Sequence, residues 1–226
     1  MLRAQCLPPT DVSHFEIAPL GDLAIRITGS ERSSDLAAHL ESCQLPDVVD
    51  IVPAFSSVGV YFRDTRFDIS TIETALSTFD QTVSRIGRNH VIPVCYEFGN
   101  DLEAVSKLLT LTPMEVCGMH CGVPLTCRAV GFCPGFPYLG DIHPRLSGLA
   151  RKDSPVLRVD PGTVAIAGDL CGIYTLTRPG GWWQIGRTPL TLVDESQDYF
   201  PIAVGDVVTF ERISLSDYEQ MVGQRL

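Results

Sequence analysis

The side chains best suited to chemistry in this chain are a histidine and an arginine in a region rich in glycine and proline. His120 could transfer a proton, because the ordinary pKa of histidine lies close to neutral pH. Arg187 follows a glycine and precedes Thr188, and a rigid turn here could present the planar guanidinium to a carboxylate, carbamate or phosphate. Structural roles stay open for both, since a histidine can end a helix and an arginine can form a surface salt bridge. His120 and Arg187 are thus the catalytic candidates.

Aromatic residues beside the turns of residues 130–194 could form the walls of a pocket. Glycine permits positive φ and close backbone approach, whereas proline fixes φ, so this region predicts short strands joined by rigid loops. Backbone amides in the runs PGTVAIAG and PGGWW could also bind an anion. Core packing and tight hairpins are the alternatives. Phe132 and Trp183 are further wall candidates, and the predicted substrate-binding residues are Phe136, Tyr138, Gly162, Thr163, Tyr174, Trp182 and Thr188.

A metal site could be drawn from five residues, Cys117, His120, Cys121, Cys127 and Cys133. The first three would share one face of a helix, because they are three and four positions apart. Their spacing nevertheless matches no zinc pattern built from two ligand pairs, and free cysteine is also a common small core residue. We therefore predict no metal site.

The motifs of self-contained nucleotide sites and serine hydrolases do not occur in the sequence. It contains no GxxxxGK[ST] run, no strand–GxGxxG–helix unit and no GxSxG elbow. If ATP is used, its site is expected to be unorthodox or to be completed by another chain.

Composition and charge exclude several kinds of partner. A formal charge of −10 and a pI near 4.8 disfavour nucleic acid and anionic membrane surfaces, which are bound by basic patches. No apolar run reaches the roughly 18 residues of a spanning helix, and the N-terminus has no apolar segment typical of a secretory signal. We expect a cytoplasmic protein that binds neither nucleic acid nor membrane.

Residues 1–89 predict an α+β domain of the two-layer α/β sandwich type. Strands are indicated by HFEIAP, LAIRIT, VVDIVPAF and SVGVYF, the last two joined by a reversal at Ser56 and Ser57. Ser33 or Ser34 could cap a first helix, and Asp68 or Ser70 a second. The second helix would bury the residues at helical spacing Ile72, Leu76, Phe79, Val83 and Ile86.

Residues 90–226 predict a β-barrel domain that begins with the strand HVIPVCYEF and two short helices. Asn100 or Asp101 could cap the first helix, and Thr112 followed by Pro113 is typical of a helix start. Seven short strands follow without long helices, which indicates a closed or nearly closed barrel. These strands are LTCRAVGF, SPVLRV, TVAIAG, GIYTLT, WWQIG, LTLVD and DVVTFER.

Several motifs in the same order resemble a known family. The runs GFCPGFPYLG, PGTVAIAG, GIY and PGGWWQIGRTPL carry the resemblance, and GDLAIRI and IVPAFSSVGVYF extend it towards the N-terminus. The family, of the carboxyltransferase domain, subdomain C and D type, includes the B subunit of 5-oxoprolinase (PxpB), the kinase inhibitor KipI and allophanate hydrolase subunit 1. Its module is similar to part of urea carboxylase. The resemblance implies that the barrel is cyclophilin-like.

The resemblance also implies a function. The chain would be a subunit, inactive alone, of an ATP-dependent 5-oxoprolinase-type amidohydrolase that opens the lactam of 5-oxoproline to glutamate. It would share ATP with a second barrel subunit of the KipA/PxpC type and with a PxpA-like third subunit. A histidine recurs in the family pattern at the position of His120, and this implies a role in proton transfer. The alternatives are a KipI-type inhibitor of a sensor histidine kinase and a urea- or allophanate-linked carboxyltransferase-like module.

The chain departs from the family at three positions around the GIY motif. Leu170 and Cys171 stand where Gln-Thr is usual, and Thr175 replaces a proline. If the missing glutamine contacts substrate, Leu170 cannot replace its hydrogen bonds, and a lost buried polar partner costs about 1–3 kcal/mol. We therefore expect the departures to affect catalysis more than the fold. We also expect His120 and Arg187 to face the same recess.

Overall fold

A computed structural model describes residues 14–80, 82 and 87–226. The chain divides into two compact units, residues 1–85 and 86–226. The boundary predicted from the sequence, between residues 89 and 90, lies a few residues further along the chain.

The first unit contains a four-stranded antiparallel sheet. Its strands are β1 (Glu16–Pro19), β2 (Ala24–Thr28), β3 (Val48–Ala54) and β4 (Ser57–Phe62), in the order β1-β2-β4-β3. Val58, Val60 and Phe62 are buried at every second position of β4, as expected for a strand with one face on a core. The predicted reversal between β3 and β4 is confirmed, but the turn lies at Phe55 and Ser56, one residue earlier than expected. Phe55 enters the turn with a positive φ of +53°.

Two helices, α1 (Ser33–Ser42) and α2 (Ile69–Ser77), contribute to the core of this unit. Asp68 caps α2 as predicted, since its carboxylate accepts a hydrogen bond of 2.9 Å from the N–H of Ser70. The cap predicted for α1 is wrong: Ser33 is the first helical residue, and its hydroxyl donates to the carbonyl of Phe55. Helix α2 ends before Phe79, and the predicted members Val83 and Ile86 lie outside the described residues.

The second unit is organised around a nearly closed sheet of seven strands. The strands of the whole unit, in chain order, are β5 (Asn89–Val94), β6 (Leu125–Val130), β7 (Pro137–Gly140), β8 (Val156–Val159), β9 (Thr163–Ala167), β10 (Leu170–Ile173), β11 (Arg178–Gly180), β12 (Trp183–Arg187) and β13 (Val207–Arg212). The sheet has the order β12-β9-β10-β7-β6-β13-β5, while β8 and β11 form a separate pair. Its two edges meet where Cys95 and Arg187 exchange backbone hydrogen bonds of 2.9 and 3.0 Å.

Two of the predicted barrel strands are wrong. The run LTLVD follows Pro189, which has no N–H for a ladder, and forms only isolated bridges at Thr191 and Asp194. The run SPVLRV pairs with β11 outside the seven-stranded sheet, and its Leu157 is 89% exposed. Strands β5 and β7 instead complete the seven strands of the sheet. The cyclophilin-like type of the barrel and the two-layer arrangement of the first unit stay predictions.

The helices of the second unit are α3 (Leu102–Leu109), α4 (Pro113–Cys121) and α5 (Leu215–Met221). The predicted start of α4 is confirmed: the Thr112 hydroxyl accepts from the N–H of Glu115, whose carboxylate accepts from the N–H of Thr112. The short helix α5 was not predicted. Within the residues that the structure describes, no helix is long and apolar enough to cross a membrane.

Candidate functional site

Several of the residues predicted from the sequence line a cavity of about 310 Å³ with aromatic walls. Four predicted substrate-binding residues, Phe136, Tyr138, Tyr174 and Trp182, lie together in its walls. Phe132, Arg151, Pro155 and residues 179–181 complete the lining. We call this space the aromatic cavity. Its contact with a substrate stays a prediction.

Phe136 is the centre of the cavity walls. Its ring meets those of Tyr138, Tyr174 and Trp182 edge to face, with centroids 5.0, 5.3 and 5.7 Å apart. Aromatic pairs prefer this geometry because the positive ring edge meets the negative ring face. The walls are therefore held by mutual packing before any ligand arrives.

Two glycines leave the room that the aromatic rings occupy. A Cβ at Gly172 would lie 2.5 Å from Cζ of Phe136 and 3.0 Å from Cζ3 of Trp182. A Cβ at Gly180 would overlap the hydroxyl of Tyr174. The motifs GIY and PGGWW thus combine glycine with aromatic residues because the rings pack directly on the backbone.

Phe132 lies at the mouth of the aromatic cavity in a backbone conformation that is unusual for a bulky residue. Its φ is +67°, and its side chain is 56% exposed. The ring packs edge-on against Phe136 and Tyr174, with centroids 5.3 and 6.1 Å apart. A left-handed non-glycine residue costs of order 1–3 kcal/mol and tends to occur at ligand sites. The fold therefore stabilises an exposed aromatic ring at the rim.

One positive charge lies among the aromatic walls. The guanidinium carbon of Arg151 is 6.0 Å from the centroid of the Trp182 ring. Burial raises the pKa of Tyr138 and of Tyr174, and the nearby charge of Arg151 opposes the rise. Both phenols are consequently protonated at neutral pH. The aromatic cavity combines apolar walls with a cation, and the sequence did not single out Arg151.

His120 lies in the barrel interior. It is 1% exposed, its Nδ1 is 2.6 Å from the hydroxyl of Tyr96, and its Nε2 is 3.3 Å from Sγ of Cys171. Its ring also stacks on Phe210 at a centroid distance of 4.3 Å. Burial lowers the pKa of His120 to about 3, so the imidazole is neutral at physiological pH.

The expectation that His120 faces the same recess as the aromatic residues is wrong. Strand β10 explains the difference, because successive side chains of a strand point to opposite faces. Cys171 points into the interior and contacts His120, whereas the next residue, Gly172, lies under the rings of Phe136 and Trp182. A catalytic role for His120 stays a prediction.

The departures from the family pattern lie on both faces of β10. Cys171 lies in the buried contact with His120, where its sulfur is a weak hydrogen-bonding partner. Leu170 packs against the aromatic cluster. Thr175 adds a hydrogen bond that a proline could not donate, 2.6 Å from its hydroxyl to the carbonyl of Pro134. This bond ties the end of β10 to the loop that carries Phe132 and Phe136.

Arg187 is also absent from the lining of the aromatic cavity. Its guanidinium lies 3.2 Å from the carboxylate of Asp160 and 5.5 Å from the ring centroid of Phe98. Because its backbone also pairs with Cys95 where the barrel edges meet, Arg187 serves the closure of the sheet. The buried Nε of Arg187 and Oγ1 of Thr163, on paired residues of β12 and β9, have no hydrogen-bond partner.

The backbone amide of Gly162, which the sequence suggested for anion binding, is hydrogen-bonded within the protein. Gly162 takes a φ of +80°, and its N–H donates to the carbonyl of Tyr174 at 2.7 Å. Its carbonyl accepts from the N–H of Thr188 at 2.9 Å. Thr163 and Thr188 are buried at 1% and 2% exposure. Gly162, Thr163 and Thr188 therefore join two turns together and lie outside the aromatic cavity.

Metal ligands do not cluster in the part of the chain that the structure describes. No group of three or more histidine, cysteine, aspartate or glutamate residues there could hold an ion. The described cysteines are free thiols, and burial raises the pKa of Cys117 to about 11 and that of Cys127 to about 12. These two thiols are protonated and inert at neutral pH.

The sequence matches the family model described as carboxyltransferase domain, subdomain C and D, over residues 16–202. A protein from Bacillus subtilis (strain 168), named as the B subunit of 5-oxoprolinase, is 34% identical over 232 residues. That alignment covers 90% of this chain and 95% of the relative. The similarity thus extends over nearly the full length of both proteins.

Solved structures resemble this fold as well. The crystal structure of TTHA0988 is 33% identical with a TM-score of 0.73, and the match covers 81% of this chain but 36% of the other. Urea carboxylase of Kluyveromyces lactis has a TM-score of 0.69 over 95% of this chain and 23% of its own, at 19% identity. This chain therefore corresponds to only part of each of these proteins, and the second likeness concerns the fold alone.

Proposed function

The chain belongs to the family of the carboxyltransferase domain, subdomain C and D, and we propose from that premise that it is the B-type subunit of a 5-oxoprolinase complex. The complex would hydrolyse the lactam of 5-oxoproline to glutamate with cleavage of ATP. The observation that carries the proposal is the 34% identity to the 5-oxoprolinase B subunit of B. subtilis across 95% of that relative. The relative's name describes one subunit of an assembly, so we expect this chain to act together with further subunits.

Within such a complex, this chain would supply binding rather than the complete chemistry. The lining of the aromatic cavity, as the described residues form it, contains no carboxylate, histidine or lysine, so the cavity has no strong general base. Its walls instead offer apolar contact, two phenols and a guanidinium. We therefore assign substrate binding to this chain, and ATP together with most of the acid–base chemistry to sites shared with other subunits.

The requirement for ATP follows from the chemistry of a lactam. An unactivated lactam is a poor electrophile, because its nitrogen donates electron density into the carbonyl. Transfer of the γ-phosphoryl group of ATP to the lactam oxygen would create a leaving group, and positive or amide donors would stabilise the developing charge. Attack of one water on the activated carbon would then break the ring C–N bond, with a proton delivered to the nitrogen, and leave an acyl phosphate of glutamate. A second water would hydrolyse this acyl phosphate to glutamate and inorganic phosphate, with ADP as the other product. The proposed partners are a second barrel subunit of the KipA/PxpC type and a PxpA-like third subunit.

Reconstitution tests the proposal. The chain should co-purify from its host with at least one further subunit, and the assembled complex should release ADP only when 5-oxoproline is present. The chain alone should release none. A complex whose ADP release does not depend on 5-oxoproline would contradict the proposal.

One observation favours a second candidate. The exposed ring of Phe132 beside an apolar cavity could also contact a protein, as the function of a KipI-type inhibitor requires. Recovery of a sensor histidine kinase with the chain, without any 5-oxoproline-dependent ADP release, would favour that function. Only a shared fold connects the chain with urea carboxylase, so we propose no urea- or allophanate-linked activity.

A further inference from the structure

We propose that Arg151 is the residue by which the aromatic cavity recognises a carboxylate, so that this chain by itself binds a small cyclic carboxylate anion. The inference deepens the proposed function, on which the choice of 5-oxoproline as the probe rests. It assigns anion recognition to Arg151 instead of Arg187, the arginine that the sequence had favoured.

The size of the aromatic cavity indicates a small ligand. Its volume of about 310 Å³ lies at the lower end of the range of roughly 300–1,000 Å³ that is typical of small-molecule pockets. A five-membered ring with a carboxylate fits within such a space. The cavity is thus large enough for the proposed substrate.

Arg151 differs from three other cations of the second unit that form ion pairs, and it differs from Arg178 in lining the aromatic cavity. Arg128, Lys152 and Arg187 each lie within 3.2 Å of an aspartate oxygen. None of the ion pairs formed within residues 14–80, 82 and 87–226 includes Arg151. Its charge is therefore available to a ligand anion, and a guanidinium matches the two oxygens of a carboxylate in a bidentate geometry.

The surroundings of Arg151 place its charge beside the aromatic walls. The guanidinium lies beside the Trp182 ring, and its charge acts on the phenols of Tyr138 and Tyr174. Because Arg151 is itself exposed, an anion can reach it from solvent. Such a site would hold the carboxylate at Arg151 and the apolar part of the ring against the aromatic faces.

The backbone strain at Phe132 is an independent sign of a ligand site. A bulky residue with a φ of +67° and a side chain that stays 56% exposed gains little from burial in the free protein. The ring nevertheless lies on the aromatic walls, where a bound ring would cover it. Strain retained beside a cavity is typical of positions selected for binding.

A matched pair of ligands tests the inference on the purified full chain. 5-Oxoproline and 2-pyrrolidinone share the lactam ring, but only the first carries a carboxylate. Isothermal titration calorimetry should give an affinity for 5-oxoproline at least about tenfold higher than for 2-pyrrolidinone, as expected for one charge-assisted contact. Arg151→Met should abolish this preference, and Arg151→Lys should retain part of it.

Arg178→Met is the matched control. Arg178 is likewise exposed and precedes the cavity residues of β11, but its guanidinium donates to the carbonyl of Thr177 and it does not line the cavity. This variant removes the same charge and should keep the ligand preference. Both variants should melt close to the wild-type temperature, because neither arginine is buried.

The outcomes separate this inference from the proposed function. Equal binding of the two ligands, no binding of 5-oxoproline to the chain, or an unchanged preference in Arg151→Met would overturn the inference. If the complex then still hydrolysed 5-oxoproline with an unchanged KM in Arg151→Met, the proposed function would stand without it. Carboxylate binding through Arg151 in a protein whose complex has no 5-oxoprolinase activity would leave the inference standing and reject the function.

Discussion

Cys171 and Gly172 are consecutive residues of β10 that face opposite sides of the barrel wall. Sγ of Cys171 lies 3.3 Å from Nε2 of His120 in the interior, whereas Gly172 lies beneath the rings of Phe136 and Trp182. The polar network and the aromatic cavity are therefore separated by a single layer of backbone. Because the two sides share a strand but no side chains, substitutions can perturb them separately.

On the interior side, replacing His120 should affect stability. His120→Ala removes the partner that lies 2.6 Å from the hydroxyl of Tyr96 and leaves a space in the core. We expect the free energy of unfolding to fall by about 2–4 kcal/mol, measured by urea denaturation. Tyr96→Phe is the control: it removes the hydroxyl but keeps the ring, and the double variant should cost less than the two single changes together.

The variant His120→Ala also distinguishes a structural role of His120 from a catalytic one. With a structural role, the reconstituted complex should lose activity only in proportion to unfolded protein. Wild-type stability combined with lost turnover would instead show that His120 takes part in the reaction.

Burial of His120 predicts a dependence of stability on pH. Its pKa is lowered from 6.5 to about 3, so below pH 6.5 the unfolded chain binds a proton that the folded chain does not. Stability should therefore fall as the pH decreases from 6.5 towards 3, by about 2 kcal/mol between pH 6.5 and 5 for this group. Urea denaturation at several pH values measures the effect.

The matched comparison for this pH effect is His120→Gln, which cannot titrate. Its stability should depend less steeply on pH between 6.5 and 5 than that of the wild type. Identical slopes in the two proteins would exclude His120 as the source.

The sequence was sufficient for the elements with clear local signals. Strand-forming runs between turn signals predicted the four strands of the first unit, with alternation in β2, and Thr112 followed by Pro113 predicted the start of α4. The seven-stranded sheet was harder to predict from the sequence. Strand β7 is only four residues long, and LTLVD has strand composition without sheet partners, so pairing there depends on contacts distant in sequence.

The candidate site was predicted in part for similar reasons. The aromatic walls follow from rings placed beside glycine turns, a signal present in the sequence. The burial of His120 had no clear signal in the sequence, because the apolar residues of α4 are spread around the helix; in the structure His120 shares the buried face with Val116 and Cys117. Arg151 carried no such signal, because it lies in a loop that only the fold brings to Trp182.

On the cavity side, Gly172→Ala should reduce ligand binding. The added methyl group would lie 2.5 Å from Phe136 and 3.0 Å from Trp182, so both rings must move. We expect a loss of about 1–3 kcal/mol in stability and a several-fold weaker affinity for 5-oxoproline, measured by thermal melting and calorimetry. Gly131→Ala is the control, because its Cβ would meet only Tyr138 at 3.9 Å. Unchanged binding in Gly172→Ala would show that the ligand does not use these walls.

At the rim, Phe132→Asn should weaken binding with little change in stability. Asparagine adopts a positive φ more readily than phenylalanine, so the variant should relieve part of the strain associated with a φ of +67°. This relief is worth about 1 kcal/mol in the free energy of unfolding. The lost ring contacts with Phe136 and Tyr174 offset it by a similar amount, so the net change should stay within about 1 kcal/mol. The affinity for 5-oxoproline should fall, because the exposed ring that would cover the ligand is gone. Phe132→Leu separates the two effects: it keeps an apolar side chain and the strain, so it should not gain stability. If Phe132→Asn binds the ligand as tightly as the wild type, the strained ring is not part of the site.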